Sequence, residues 1–325
     1  MILRLLILGF AITGPASAQA IRDSATVQSD NASLFLELRG ADSTRPVVLF
    51  LHGGPADPLD GLMSFMAYGG PELEREFVMV YLYQRGVAKS GPAPVASQSL
   101  PQHVKDVDRV IDYLKRRFRN APVSLVGHSW GGTLATAYLL DHGDKLNRAV
   151  VICSILNNRR NDTEGYRLVL EQARARQNAD AIRELEAVGP PPWNSLDQIL
   201  VQRRWAGRLS SAPNVRADRA RSLRAGGYQR ADTTWQSTQM AIVQHMLPSF
   251  LNLDLDPRLP NARTPLLLIA CGKDLIVPPS AIRPSFDRYG GQKEWLLFEN
   301  SGHDAYVQET ERFAREVTRF LRAGS

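Results

Sequence analysis

Cysteine is nearly absent. Only Cys153 and Cys271 occur among 325 residues, too few for a disulfide scaffold and with no spacing suited to a metal. Long apolar runs are missing too: the stretch from Leu5 to Ile12 falls short of the roughly 20 residues that span a bilayer, and no cysteine follows it to take a lipid. No internal repeat or low-complexity tract is present, which excludes a solenoid or a long flexible linker. Acidic residues are outnumbered, 33 against 39 Lys and Arg, but the cations are scattered. Their runs are no longer than Lys115-Arg116-Arg117 and no nucleic-acid motif accompanies them, so they read as a solvated surface and no nucleic acid is expected as partner.

The N-terminus holds one basic residue, Arg4, then the short apolar stretch, then Ala16-Ser17-Ala18. That order describes a secretory signal over 1–18 with cleavage after Ala18, giving a secreted or periplasmic protein without a stable membrane anchor. In such a compartment Cys153 and Cys271, each near the end of a predicted strand, could bridge; buried free thiols are the preferred reading.

Hydrophobic content of 44% supports a large core. Runs at 47–51, 77–83, 123–127, 148–152, 266–270 and 293–298 read as strands, after an initial hairpin built from 26–28 and 33–38 around Asp30-Asn31. Val104, Val107, Ile111 and Leu114 place an apolar face on a helix over 101–119. Alternation of this kind predicts an α/β protein with a mainly parallel sheet covered on both faces. Between Cys153 and Leu266 it fails, giving Arg- and Gln-rich helical stretches broken by Gly189-Pro190-Pro191-Pro192 and Ser211-Ala212-Pro213. The chain therefore divides into a core, 19–153 and 265–325, and an inserted helical cap, 154–264. Trp193, Trp205, Trp235, Tyr228, Met240 and Met246 in the cap serve its own core or line a pocket, with the core reading preferred.

The chemistry centres on Gly127-His128-Ser129-Trp130-Gly131-Gly132, directly after Val123–Val126 and directly before an apolar helix. A serine on such a strand-to-helix turn stands exposed at the head of the helix. A serine hydroxyl needs an imidazole to take its proton and a carboxylate to orient that imidazole. Asp274 follows the strand at 266–270, and His303 follows the last strand. Backbone donors for a developing oxyanion are the amides of Trp130 and Gly54, with Gly53 as the lesser choice. His52, His103, His128 and His142 read as structural, while His245 remains a candidate to face substrate.

Together, His52-Gly53-Gly54-Pro55, Gln84-Arg85-Gly86 with Lys89-Ser90-Gly91, the Ser129 turn, Asp274-x-x-x-Pro278 and Ser301-Gly302-His303 resemble the prolyl iminopeptidase group of α/β-hydrolases. The resemblance runs from about residue 30 to the C-terminus and leaves the cap unmatched. Three departures stand out. Tyr83 replaces the aspartate that opens the family's Asp-Gln-Arg-Gly, while Ala88 and Ala56 replace usual glycines. The family's cap string Trp-x-x-Trp-Glu has no counterpart, because Arg203-Arg204-Trp205-Ala206-Gly207 lacks the acid.

The resemblance implies the α/β-hydrolase fold and acyl-enzyme hydrolysis of small amide or ester substrates, with a small molecule or short peptide as partner and no metal or organic cofactor. A carboxylesterase or lactonase is the alternative, and a non-catalytic binding protein the rival of another class. An aminopeptidase would need an unpaired cap carboxylate for the substrate ammonium. The candidates Glu164, Glu171, Glu184 and Glu186 lie in Arg-rich helices where surface pairing is expected.

Overall fold

The computed structural model describes residues 19–212 and 216–323; the expected signal segment lies outside them. Eight strands form one sheet: β1 (Ile21–Ser29), β2 (Ala32–Gly40), β3 (Val47–Leu51), β4 (Val78–Tyr83), β5 (Val123–His128), β6 (Ala149–Ile152), β7 (Leu266–Cys271) and β8 (Lys293–Phe298). Their spatial order is β1-β2-β4-β3-β5-β6-β7-β8. The pairs β1–β2 and β2–β4 are antiparallel and the others parallel.

Every residue of β3, β4, β5, β6 and β7 is buried. Parallel strands covered on both faces are mostly apolar, and these read Val-Val-Leu-Phe-Leu or similar, with Ser124 and His128 of β5 as buried polar exceptions. Strand β2 instead alternates buried and half-buried positions, because only one of its faces meets the core. The hairpin turns at Asp30, whose φ is 48°, and it is longer than the sequence indicates.

Two short helices, α1 (Ser64–Ala67) and α2 (Gly69–Leu73), precede α3 (Leu100–Arg117) and α4 (Trp130–His142). Between β6 and β7 come α5 (Asn158–Ala175), α6 (Ala179–Val188), α7 (Leu196–Leu209), α8 (Arg219–Ala225) and α9 (Trp235–Leu251). Helices α10 (Pro279–Arg288), α11 (Ala305–Gln308) and α12 (Thr310–Arg322) complete the chain. Ser99 starts α3 by accepting the Gln102 amide, a cap that satisfies one donor of its first turn. Just past its end, Arg119 and Asn120 take left-handed φ values of 50° and 61°, so this helix stops short of the predicted 119.

Successive residues of β3 point to opposite faces. Leu49 and Leu51 pack with Val107 and Ile111 of α3 and Leu134 of α4. Val48 and Phe50 pack with Phe65 of α1 and with Phe313 and Val317 of α12. Full burial of each such side chain contributes roughly 1.5–3 kcal/mol, so tertiary packing holds these helices in place. Beyond them the inserted helices build a core of their own around Tyr166, Val169, Trp193, Trp205 and Leu209.

One polar network fastens the end of β4. The Arg85 guanidinium is fully buried and donates to both Asp106 oxygens at 2.9 and 2.7 Å, to the Ser29 carbonyl at 3.2 Å and to Asn31 Oδ1 at 2.6 Å. It ties the hairpin, α3 and the loop after β4 into one unit. Removing either charge would strand the other in the interior, at a cost of about 3–5 kcal/mol.

Candidate active site

Ser129 sits between β5 and α4 with φ 53° and ψ −120°, a conformation that costs a non-glycine residue of order 1–3 kcal/mol. Close packing enforces it: a Cβ on Gly131 would lie 1.9 Å from the Leu51 carbonyl oxygen, so only glycine lets α4 begin against β3. The Ser129 side chain makes no capping hydrogen bond and is half-buried, which leaves its hydroxyl free for other work.

His303 and Asp274 meet as expected from the sequence. His303 Nδ1 donates to Asp274 Oδ2 at 2.7 Å, and Asp274 Oδ1 accepts the Ile276 and Val277 amides at 2.8 and 3.0 Å. Burial lowers the basicity of His303, but the charge and hydrogen bond of Asp274 outweigh it, and its pKa rises above the ordinary value. With Nδ1 engaged by Asp274, Nε2 is the ring nitrogen left available.

His128 has a role that its position beside Ser129 did not reveal. Its Nε2–H donates to the His303 backbone carbonyl at 2.9 Å, and the two rings lie 4.8 Å apart. It therefore braces the loop that carries His303. No sequence pattern marks a contact across 175 positions.

The inserted helices grip the acid-bearing loop directly. Ser210 Oγ donates to the Lys273 carbonyl at 2.8 Å, Gln202 Nε2 to Leu275 at 3.3 Å and the Arg203 guanidinium to Ile276 at 2.7 Å. Cys153, just past the end of β6, and Cys271, the last residue of the adjacent β7, are buried free thiols with sulfurs 2.9 Å apart. Cys153 Sγ, Asp274 and His303 offer ligand atoms within 4.8 Å of one another. Burial keeps that thiol protonated and the Asp274–His303 bond uses both partners, so the set suits proton transfer better than a cation.

The loop after β3 brings Gly53 and Gly54 against the serine. A Cβ on Gly53 would lie 3.2 Å from Ser129 Cβ, and Gly54 adopts φ +89°, a left-handed conformation natural only to glycine. Among the described residues, neither the Gly54 nor the Trp130 amide meets an acceptor. The departures at Ala56 and Ala88 fall at φ 58° and 42°, where the family's glycine would be relaxed and alanine costs about 1 kcal/mol.

Asp274 and His303 line a cavity of about 810 Å³ together with Asp60, Asp304, Arg208, Arg216 and Lys273; Ser129 is not among its walls. Of the aromatic and Met candidates, Trp193 and Trp205 belong to the inserted helices' own core. Met246 packs with Trp130, Trp235 lines a second cavity of about 530 Å³ with Ala56 and Val87, and Tyr228 packs on Trp235. Met240 and His245 are exposed. The four cap glutamates are all paired: Glu164 and Glu171 with Arg167, Glu184 with Arg204, Glu186 with Arg174.

Buried histidines set an acid limit on the fold. Burial drives His52, His103 and His128 each down to about 4, whereas the same rings protonate near 6.5 in an unfolded chain. Between these values the unfolded chain holds more protons. Stability therefore falls as pH drops through the window, by about 1.4 kcal/mol per pH unit for each ring. Burial and the neighbouring Asp60 raise the Asp57 carboxyl to about 6, which opposes one ring below that pH. His303, whose pKa is raised, also opposes them, so denaturant melts are expected to give up to about 4 kcal/mol less stability at pH 5 than at pH 7; equal stabilities would contradict the neutrality of these rings.

The profile of the alpha/beta hydrolase fold family matches residues 46–310, and the chain belongs to that family. It is 25% identical over 302 residues to the Probable aminopeptidase YbaC of Bacillus subtilis (strain 168), covering 90% of this chain and 94% of that relative. A proline iminopeptidase of Levilactobacillus brevis is 24% identical over 286 residues, 85% of this chain and 88% of the relative. The crystal structure of the proline iminopeptidase from Mycobacterium smegmatis superimposes with a TM-score of 0.69 at 18% identity, covering 93% of this chain and 98% of that one. The resemblance read from the motifs is matched by these relatives.

Proposed function

We propose that the protein is a serine hydrolase that forms an acyl-enzyme on Ser129. What supports this is a serine on a strained turn whose neighbour His128 bonds the His303 carbonyl at 2.9 Å, together with a His303–Asp274 pair bonded at 2.7 Å. In this reading His303 Nε2 takes the Ser129 proton as Oγ attacks the substrate carbonyl. The oxyanion is received by the free amides of Gly54 and Trp130. His303 then passes the proton to the departing amine or alcohol, and water activated by the same ring releases the acid.

The carbonyl substrate is small, and esters are the better fit. All four cap glutamates are engaged with arginines, and the cavity beside His303 balances three carboxylates, Asp60, Asp274 and Asp304, with three cations, Arg208, Arg216 and Lys273. Such a lining offers no excess negative charge to an ammonium group. The aminopeptidase reading rests on Asp60 and Asp304, which face that cavity and which sequence reasoning overlooked, and on the names of the relatives. Labelling of Ser129 by a fluorophosphonate probe tests the mechanism, and an unlabelled protein would refute it. Short-chain esters are expected to turn over faster than prolyl or alanyl arylamides. A strong rate on the free-amine arylamide, lost on N-acylation, would restore the aminopeptidase assignment.

A further inference from the structure

We infer that Gln84 and His52 are positioning residues that hold the two halves of the oxyanion hole in register, an inference that rests on the serine hydrolase reading above. Gln84 follows β4 and is 1% exposed. Its Nε2 donates to the His52 carbonyl at 2.9 Å, and its Oε1 accepts the Trp130 indole N–H at 2.9 Å. His52 immediately precedes Gly53 and Gly54, and Trp130 immediately follows Ser129. A single carboxamide thus bonds both segments that present oxyanion donors, although those segments belong to different strands and share no bond of this kind otherwise.

His52 supplies the second brace. Its Nε2 accepts the Gln84 amide at 3.4 Å, which leaves Nδ1–H to donate to the Gly53 carbonyl at 2.8 Å. That division of roles needs a neutral ring, and burial keeps His52 neutral down to about pH 4. In a trans peptide the carbonyl and the following N–H point in opposite directions. Anchoring the Gly53 oxygen on the imidazole therefore turns the Gly54 N–H away from it and keeps it without an internal acceptor. An amide preset in this way needs no reorganisation when negative charge develops, which is what makes such donors effective.

The test uses the whole protein, a short-chain ester and an alkyl boronic acid, whose tetrahedral adduct on Ser129 places an oxygen in the hole. Gln84→Met keeps the volume and removes both bonds. It is expected to lower kcat by about 10–100-fold, since a displacement of the order of 1 Å costs that much. KM should stay within about twofold, and boronate affinity should weaken by the same factor as kcat. Trp130→Phe removes only the indole donor, so it decides the matter if Gln84→Met does not fold; a smaller, parallel loss in kcat and boronate affinity is expected. Where both fold, the double variant should be no worse than Gln84→Met alone, because both substitutions cut the same link. Unchanged kcat, a loss in kcat without a loss in boronate affinity, or multiplicative losses would overturn the inference. Wild-type protein that fluorophosphonate fails to label at Ser129 would instead overturn the hydrolase reading.

Discussion

Ser129→Ala is expected to lower acyl hydrolysis by about 10⁶-fold, because a nucleophile and its base act as a unit and loss of one removes nearly the whole benefit of the set. The fold should survive. The hydroxyl caps nothing, and alanine carries the same backbone cost at φ 53° as serine does. Ester turnover and fluorophosphonate labelling measure the loss, and a denaturant melt checks the fold. Ser129→Gly makes the contrast sharper: it should be equally inactive yet more stable than the parent, because glycine relieves the strain at this turn, by about 1 kcal/mol. Undiminished turnover by the alanine variant would refute the acyl-enzyme mechanism.

Asp274→Asn is expected to cost about 10⁴-fold in kcat through the wrong histidine tautomer. The loop itself dictates this outcome. Two amides, of Ile276 and Val277, point at Oδ1, so an asparagine must place its carbonyl oxygen there and turn its NH₂ toward His303. Nδ1 must then accept, and Nε2 carries the proton at the moment Ser129 needs a base. The pH profile gives a second readout. Asp274 raises the His303 pKa against the downward pull of burial, so the acid limb of kcat/KM in the parent lies above 6.5 and activity falls as pH drops through it. In the variant that limb shifts to lower pH. Near-parental rates for Asp274→Asn would show that another acid serves His303.

Much of the sheet was legible because parallel strands buried on both faces leave unbroken apolar runs, as at Val47–Leu51 and Leu266–Ala270. Strand β1 was largely missed for the opposite reason. Its Arg22, Asp23 and Ser24 are exposed, so pairing with β2 defines it rather than any pattern of its own. Ser129 and Asp274 each follow such a run and His303 follows the half-buried β8, so the glycine-flanked serine turn and the strand ends pointed to them. Gln84, His128 and the carbonyl contacts of α7 escaped, since polar links between distant positions impose no period on the sequence. Ala56 and Ala88 were visible as departures from a pattern, but their left-handed φ values required coordinates. Asp60 and Asp304 gained meaning only when the chain brought them to one cavity.

The three donors that Ser210, Gln202 and Arg203 extend to the carbonyls of Lys273, Leu275 and Ile276 make the inserted helices and the acid loop one mechanical body. Exchanging the insertion for that of another hydrolase would leave those carbonyls without partners and Asp274 without its frame. The segment is therefore not a modular lid that can be traded freely between relatives. Change is channelled instead to positions such as Gly207, which faces the cavity, has open space where a side chain would stand and has no part in the grip on the loop.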